Sequence, residues 1–405
     1  MNINTFIFNA EELINAKSDK YNFPLVYDFH VLELFVEVNK TINEEIKKIL
    51  RPVNTDTKEY YRSYTLSARK VSLEKHSNWL KSNWQQYSSV FADYFEIRPQ
   101  LIKPRLELVE NQYQRNIFRI ARLYWSLPHT YGYGRRLNYL IWDDGNDKLI
   151  GILGLQSPPI SLPARDKKYQ IPYEHKIELV NQTMDAFTVG ALPPYSELLA
   201  GKLVVLAAAS QEVRKDYVRR YAGKRTEMLD RVLPANLIAV TTLSAFGKSS
   251  MYNRVSRGKV GEYNVWATKS LGVCDGWGTL HFSDALYAKM KELHKELYPD
   301  KLVYGFGTGP KIRFQITNRI LNCLNLSQNL LKHNIKREVF IIPHVENIDE
   351  ILAGNQAKPI YNDRPFAELA QYWKERYCIP RSQKRCSIEG RHTIAKELQL
   401  PSDVV

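Results

Sequence analysis

Between Leu137 and Leu155 the chain reads L-N-Y-L-I-W-D-D-G-N-D-K-L-I-G-I-L-G-L, and this stretch decides the fold. Two apolar runs, Leu137–Trp142 and Lys148–Leu155, flank Asp143-Asp144-Gly145-Asn146-Asp147. Asp, Gly and Asn tolerate the tight backbone of a reversal, so the pattern predicts an antiparallel hairpin. Upstream, Leu106-Glu107-Leu108 reads as a short strand and Glu110–Tyr124 as an amphipathic helix with Phe118, Ile120 and Leu123 inward. Downstream come loops carrying Pro158, Pro159, Pro163 and Pro172, then a strand over Asp185–Ala191 stopped at Pro193-Pro194. Helices follow over Ser196–Ala209 and Glu212–Tyr221, then a buried strand over Leu237–Leu243 and a short helix opening at Ser249 or Ser250.

Further out, Tyr263–Thr268 reads as a strand, and Ser283 caps a helix over Asp284–Tyr298 with Leu286, Met290, Leu293 and Leu297 on one face. Arg313–Ile335 and Phe366–Tyr377 read as helices, and no internal repeat is visible. Before the core, helical spacing runs from Tyr27 to Leu50, ended by Pro52, and again from Tyr60 to Tyr94. The expected architecture is therefore α+β: an N-terminal helical module over 1–96, a mixed-sheet core over 97–300, and a mixed C-terminal region over 301–405 with a basic tail.

The core's order of helix, hairpin, strand, helix and strand resembles that of the N-acetyltransferase superfamily. There a Gly-rich turn offers free N–H groups to a pyrophosphate. Here the corresponding turn is Ala191-Leu192-Pro193-Pro194-Tyr195-Ser196. Proline has no N–H to give, so the reading is an acetyltransferase-like core without acetyl-CoA, and no cofactor is expected.

Lys and Arg total 57 against 43 Asp and Glu, a net charge of +14. Such a field favours polyanions, either nucleic acid or an anionic membrane surface, and its local clusters point to nucleic acid. No apolar run reaches the roughly 18 residues of a membrane span. Met1–Ile14 lacks the basic region and cleavage site of a secretory signal, so a cytoplasmic location is expected. Cys274, Cys323, Cys378 and Cys386 are widely spaced. With His392, the last two fit no structural zinc spacing, so free thiols and no metal are expected.

Gly247-Lys248-Ser249-Ser250 looks like the end of a phosphate-binding loop, but the first glycine of that motif would fall at Thr242, inside a strand. What remains is a strand-to-helix turn with Lys248, Ser249 and Ser250 for a nucleic-acid phosphate, or an ordinary Ser-capped helix. Asn253 and Arg254 sit in the first turn of that helix, suited to a base edge and a phosphate, while Tyr252 suits packing. Lys202, among apolar neighbours, either snorkels or enters the same cleft. Arg135, Arg136 and Arg165 stand in loops that rim the strand pair, with Asp166 beside the last. Lys311 and Arg313 follow the Gly305-x-Gly307-x-Gly309 loop as a second phosphate contact. Seven Lys or Arg lie between Lys374 and Lys396, either as a solvated tail or as a docking segment.

The longer motifs are Gly134-Arg135-Arg136, Trp142-Asp143, Ala164-Arg165-Asp166 and the run M-D-A-F-T-V-G-A-L-P-P-Y-S-E-L-L-A-G-K from Met184 to Lys202. To these is added A-V-T-T-L-S-A-F-G-K-S-S-M-Y-N-R from Ala239 to Arg254. In this order they resemble the DruA family over roughly residues 97–300, with Phe187, Lys248 and Val255 at positions where the family varies or differs. The resemblance implies a component of Druantia, a multi-protein bacterial anti-phage system whose members include a large helicase-like protein. It implies recognition or presentation of phage nucleic acid with those partners. The residues themselves leave three readings open: a non-catalytic binding subunit, an enzyme that modifies or cuts nucleic acid through the Lys248–Arg254 and Lys202 cleft, and a mobile-element accessory protein. No G-x-S-x-G, H-E-x-x-H or two-metal carboxylate pattern is present, so no catalytic residue is assigned.

Overall fold

A computed structural model describes residues 29–46, 57–125, 134–226, 230–245, 249–274, 276–279, 282–304, 310–332, 336–384, 394 and 398. The chain divides into two units: Met1–Asn54 with Asp275–Ile335, and Thr55–Cys274 with Lys336–Val405.

The second, larger unit is built on the hairpin. Its strands are β1 (Pro104–Leu108), β2 (Arg136–Asp143), β3 (Lys148–Gln156), β4 (Thr183–Ala191), β5 (Ala239–Leu243), β6 (Ser256–Val260), β7 (Tyr263–Trp266), β8 (Lys269–Cys274) and β9 (Arg337–Pro343). Seven form one sheet in the order β1-β2-β3-β4-β5-β9-β8, and β6 and β7 form a separate ribbon. The fold is α+β with a mixed sheet. All neighbours in the large sheet are antiparallel except β4 and β5. A parallel pair needs a crossover, supplied here by the helices Ala200–Ala208 and Gln211–Tyr221.

The central strands are buried on both faces, which explains their nearly continuous apolar sequence. In β2, Leu137, Tyr139 and Ile141 enter one core with Leu203, Leu206 and Trp373 from the helices Ala200–Ala208 and Phe366–Trp373. Leu140 and Trp142 enter the opposite core with Ile117, Phe118 and Ile120 of the helix Gln112–Arg122 and Leu80 and Trp84 of the helix Thr57–Tyr87. A third cluster, with Ile238, Ala239 and Ile341, is covered by Ile348, Ile351 and Leu352.

Two local features shape the end of β4. Leu155 pairs with Ala186 and Gly154 with Thr188, so Phe187 is the extra residue of a bulge. Gly154 is required there, since a Cβ would strike the Phe187 and Phe118 rings. The parallel pairing of β4 with β5 covers only Thr183–Ala186 against Ala239–Thr242. Beyond it β4 continues to Ala191 and the two strands diverge.

The smaller unit packs Val31, Leu34 and Val38 of the helix Phe29–Thr41 against Leu286, Met290 and Leu293 of Asp284–Leu297 and Ile316 and Ile320 of Pro310–Cys323. Ser283 caps the second of these helices, its Oγ accepting the Leu286 N–H at 3.2 Å. No helix among the described residues is long and apolar enough to cross a membrane.

Several expectations are corrected. The segment Ser249–Arg254 is a run of turns and not a helix. The helix expected over Ser196–Ala209 is a 3-10 turn, Tyr195–Leu198, followed by Ala200–Ala208, because Leu199 takes a left-handed backbone (φ +60°) between them. The helix expected over Arg313–Ile335 is Pro310–Cys323, after which Asn325 turns left-handed (φ +55°) and Ser327 caps a separate 3-10 turn. Strands β6, β8 and β9 had not been expected. The Pro193-Pro194 bond is cis.

Candidate functional site

The motif residues lie along β4 and in the loops beside it. On β4, Asp185 is buried, accepting from Thr241 Oγ1 at 3.0 Å and from Gln156 Nε2 at 3.4 Å. Burial raises its pKa. Those two hydrogen bonds and the charges of Arg337 and Arg165 oppose the rise.

Arg165 does not rim a surface. It is fully buried, donating to the carbonyl oxygens of Pro159 (3.1 Å) and Ile160 (3.0 Å) and to Asp166 Oδ1 (2.7 and 2.9 Å). Asp166 in turn binds Lys176 at 2.6 Å and caps the Leu162 N–H at 3.0 Å. Burial pulls the Arg165 pKa down, with Asp166 opposing it.

Arg135 is likewise turned inward, donating to the Asn181 carbonyl at 2.7 Å and to the Tyr217 hydroxyl, with the Tyr217 ring beneath it. Arg136 exchanges backbone hydrogen bonds with the Tyr221 hydroxyl and lies over the ring of the bulged Phe187, 5.0 Å from its centre.

Lys202 reaches the turn Ser249–Arg254. Its ammonium donates to the carbonyl oxygens of Ser250 (3.0 Å) and Asn253 (2.6 Å) and stands 5.4 Å from the centre of the Tyr377 ring. The Tyr377 hydroxyl donates to the Arg254 carbonyl at 3.0 Å. Burial, aided by Arg254, pulls the Lys202 pKa down to about 8.

These clamps explain why the turn is not a helix. The Ser250 and Asn253 carbonyls, which helical bonds would use, are taken by a side chain, and Arg254 is left-handed (φ +56°). No helix N-terminus stands behind Ser249 and Ser250, so the expected dipole contribution is missing. Asn253 and Arg254 are exposed, whereas Tyr252 is buried against Phe340. Burial pushes the Tyr252 hydroxyl up to about 12. Lys248 lies outside the described residues, as do Gly305 to Gly309.

Lys311 and Arg313 belong to the smaller unit. Lys311 is exposed. Arg313 is engaged by Asp284 at 2.7 Å and by the Phe282 carbonyl at 2.5 Å, so it braces the start of the helix Asp284–Leu297. Of the tail's cations, Lys374 donates to the Gln100 (2.6 Å) and Ile102 (2.9 Å) carbonyls. Among the described residues no group of three or more His, Cys, Asp or Glu is placed to hold a metal; Cys386 and His392 lie outside them.

Sequence reasoning missed two participants. Tyr195, of the Pro-Pro-Tyr motif, donates to Asp143 Oδ2 at 2.8 Å, tying the crossover to the hairpin turn. Arg337, at the start of β9, faces Asp185 from a strand the sequence did not reveal. The Trp-Asp and Pro-Pro-Tyr motifs carried a signal for the first; nothing marked the second.

Fold and site together define an α+β protein whose motif residues brace one another along one strand and in the loops beside it. The sequence model of the family described as "Druantia protein DruA" matches residues 55–354. A curated relative, Druantia protein DruA from Escherichia coli (strain UMEA 4076-1), is 34% identical over 332 residues, covering 81% of this chain and 80% of the relative. No solved structure matches. The chain belongs to the DruA family, and with it to the Druantia anti-phage defence system.

Proposed function

We propose that the chain is a non-catalytic subunit that recognises phage nucleic acid within this defence system, acting with partner proteins that include a large helicase-like one. The observation that carries the reading is the β6–β7 ribbon, which leaves the turn Ser249–Arg254 directly. Lys259 pairs with Asn264, and Trp266 is two residues further along β7, so these three side chains share one face. All three are exposed. Arg254 and Lys269, at the two ends of the segment, are exposed as well. Arg254, Lys259 and Lys269 make no ion pair with described residues. Unpaired cations suit phosphates, an exposed indole suits a base face, and a two-stranded ribbon is of a size to enter a groove. Ser249, Ser250 and Asn253 border the same contact, to which Lys248, next in sequence, is assigned as well; Lys311 of the smaller unit is a further phosphate contact. Arg135, Arg136, Arg165 and Lys202 shape the surface from within. The antiparallel run β1–β4 leading to a parallel β4–β5 pair supports an acetyltransferase-like build for the core.

Titration of short DNA and RNA by fluorescence anisotropy across salt tests the reading. Affinity is expected to fall by about 0.9 log units per log unit of salt for each duplex phosphate neutralised. No binding at low salt, alone and with the partner proteins, overturns it.

A further inference from the structure

Arg337 is short of partners. Its Nε donates to the Ser244 carbonyl at 2.6 Å, and its two terminal nitrogens make no hydrogen bond with the described residues. Among the described residues no carboxylate stands within ion-pair distance, and the side chain is half-buried. Asp185, Tyr252 and Cys274 act on it only through space, and burial pulls its pKa below the usual arginine range. Its two terminal nitrogens are not sealed off from solvent, so the unused fork of donors is open to an anion.

Two fully buried arginines of this unit spend their terminal N–H groups inside the protein. Arg165 spends its donors on Asp166 and two carbonyls, and Arg257 donates to the Asn362 and Pro343 carbonyls.

We infer that Arg337 anchors a phosphate group, its paired terminal N–H groups taking two phosphate oxygens side by side. The inference rests on the nucleic-acid reading for the source of that phosphate and on Arg337's own surroundings for the site.

The test uses the full chain as wild type, Arg337→Gln and Arg337→Lys, with a short 5′-phosphorylated oligodeoxynucleotide and with inorganic phosphate. Arg337→Gln is expected to weaken oligonucleotide binding about tenfold and to lower the salt slope by about 0.7–0.9, the share of one phosphate. Arg337→Lys, which keeps the charge and loses the fork, is expected to keep the slope and recover only part of the affinity. Phenylglyoxal labelling of the wild type, mapped by mass spectrometry, guards against a variant that fails to fold: the oligonucleotide should protect Arg337. If inorganic phosphate protects Arg337 and the oligonucleotide does not bind, the anchor stands and the nucleic-acid reading falls. If the oligonucleotide binds wild type and Arg337→Gln equally and leaves Arg337 open to labelling, the anchor is overturned and the nucleic-acid reading stands. If neither probe binds, both fall.

Discussion

The Lys202 ammonium lies 2.6 Å from the Asn253 carbonyl oxygen and 3.0 Å from that of Ser250, so one side chain of the crossover helix holds both ends of the exposed turn. Its pKa falls from 10.5 in the unfolded chain to about 8 in the fold, mainly by burial. Between those values the unfolded chain binds more proton at this lysine than the native state does, so its contribution to stability rises with pH across that window and is flat below it. Thermal melts of wild type and Lys202→Met from pH 7 upward should show the wild type gaining on the variant above about pH 8. A constant difference across that range would contradict the assigned burial.

Arg165 gives the largest expected loss. Arg165→Met removes the donor to Asp166 and to the Pro159 and Ile160 carbonyls. Breaking a buried pair in this way costs about 3–5 kcal/mol, and the protein should melt well below wild type. Were Arg165 a surface contact for nucleic acid, the substitution would instead leave the melt in place and reduce affinity alone.

The hairpin was legible because alternation and turn chemistry are local: Leu137, Tyr139 and Ile141 face one core and Leu140 and Trp142 the other, as the spacing requires. Strand β9 was not. Val339–Ile342 is a short run buried on both faces, a signature shared with buried helix, and its partners β5 and β8 lie about 60–100 residues away in sequence. The Ser249 helix failed for a related reason. Two serines are a fair capping signal, but Lys202, far upstream, takes the carbonyls that helical bonds need. The motif residues were visible by type, yet their roles were not. Arg135, Arg165 and Lys202 bind main-chain oxygens of Asn181, Pro159, Ile160, Ser250 and Asn253, and a backbone carbonyl leaves no mark in sequence.

Arg254 separates conformation from contact. It is exposed and left-handed (φ +56°), a conformation that costs a side-chain-bearing residue about 1–2 kcal/mol and glycine little. Arg254→Gly should therefore melt at or slightly above the wild-type temperature, while phage protection and nucleic-acid affinity both drop. Arg254→Ala removes the same charge and keeps the strained backbone, so it should lose affinity equally without the gain in stability. Plaque efficiency beside melting curves decides it, and full protection by both variants would remove Arg254 from the contact surface.

The ribbon permits a test with its own control. Tyr263 is directly opposite Val260, on the face away from Lys259, Asn264 and Trp266, and it is 81% exposed. If the Lys259 face meets nucleic acid, Trp266→Ala should weaken single-strand binding by about 1–3 kcal/mol, the worth of one base stacked on an aromatic ring. The salt slope should not change, because no charge is removed. Lys259→Ala should lower the slope by about 0.7–0.9, one phosphate's share, with the loss of affinity greatest at low salt. Tyr263→Ala should change neither quantity. All three side chains are exposed, so each melt should stay within about 0.5 kcal/mol of wild type. A ribbon that binds through charge alone would show the Lys259 effect without the Trp266 one. Equal losses for Trp266→Ala and Tyr263→Ala would mean that the ribbon is gripped from both sides, and the single-face assignment would have to be given up.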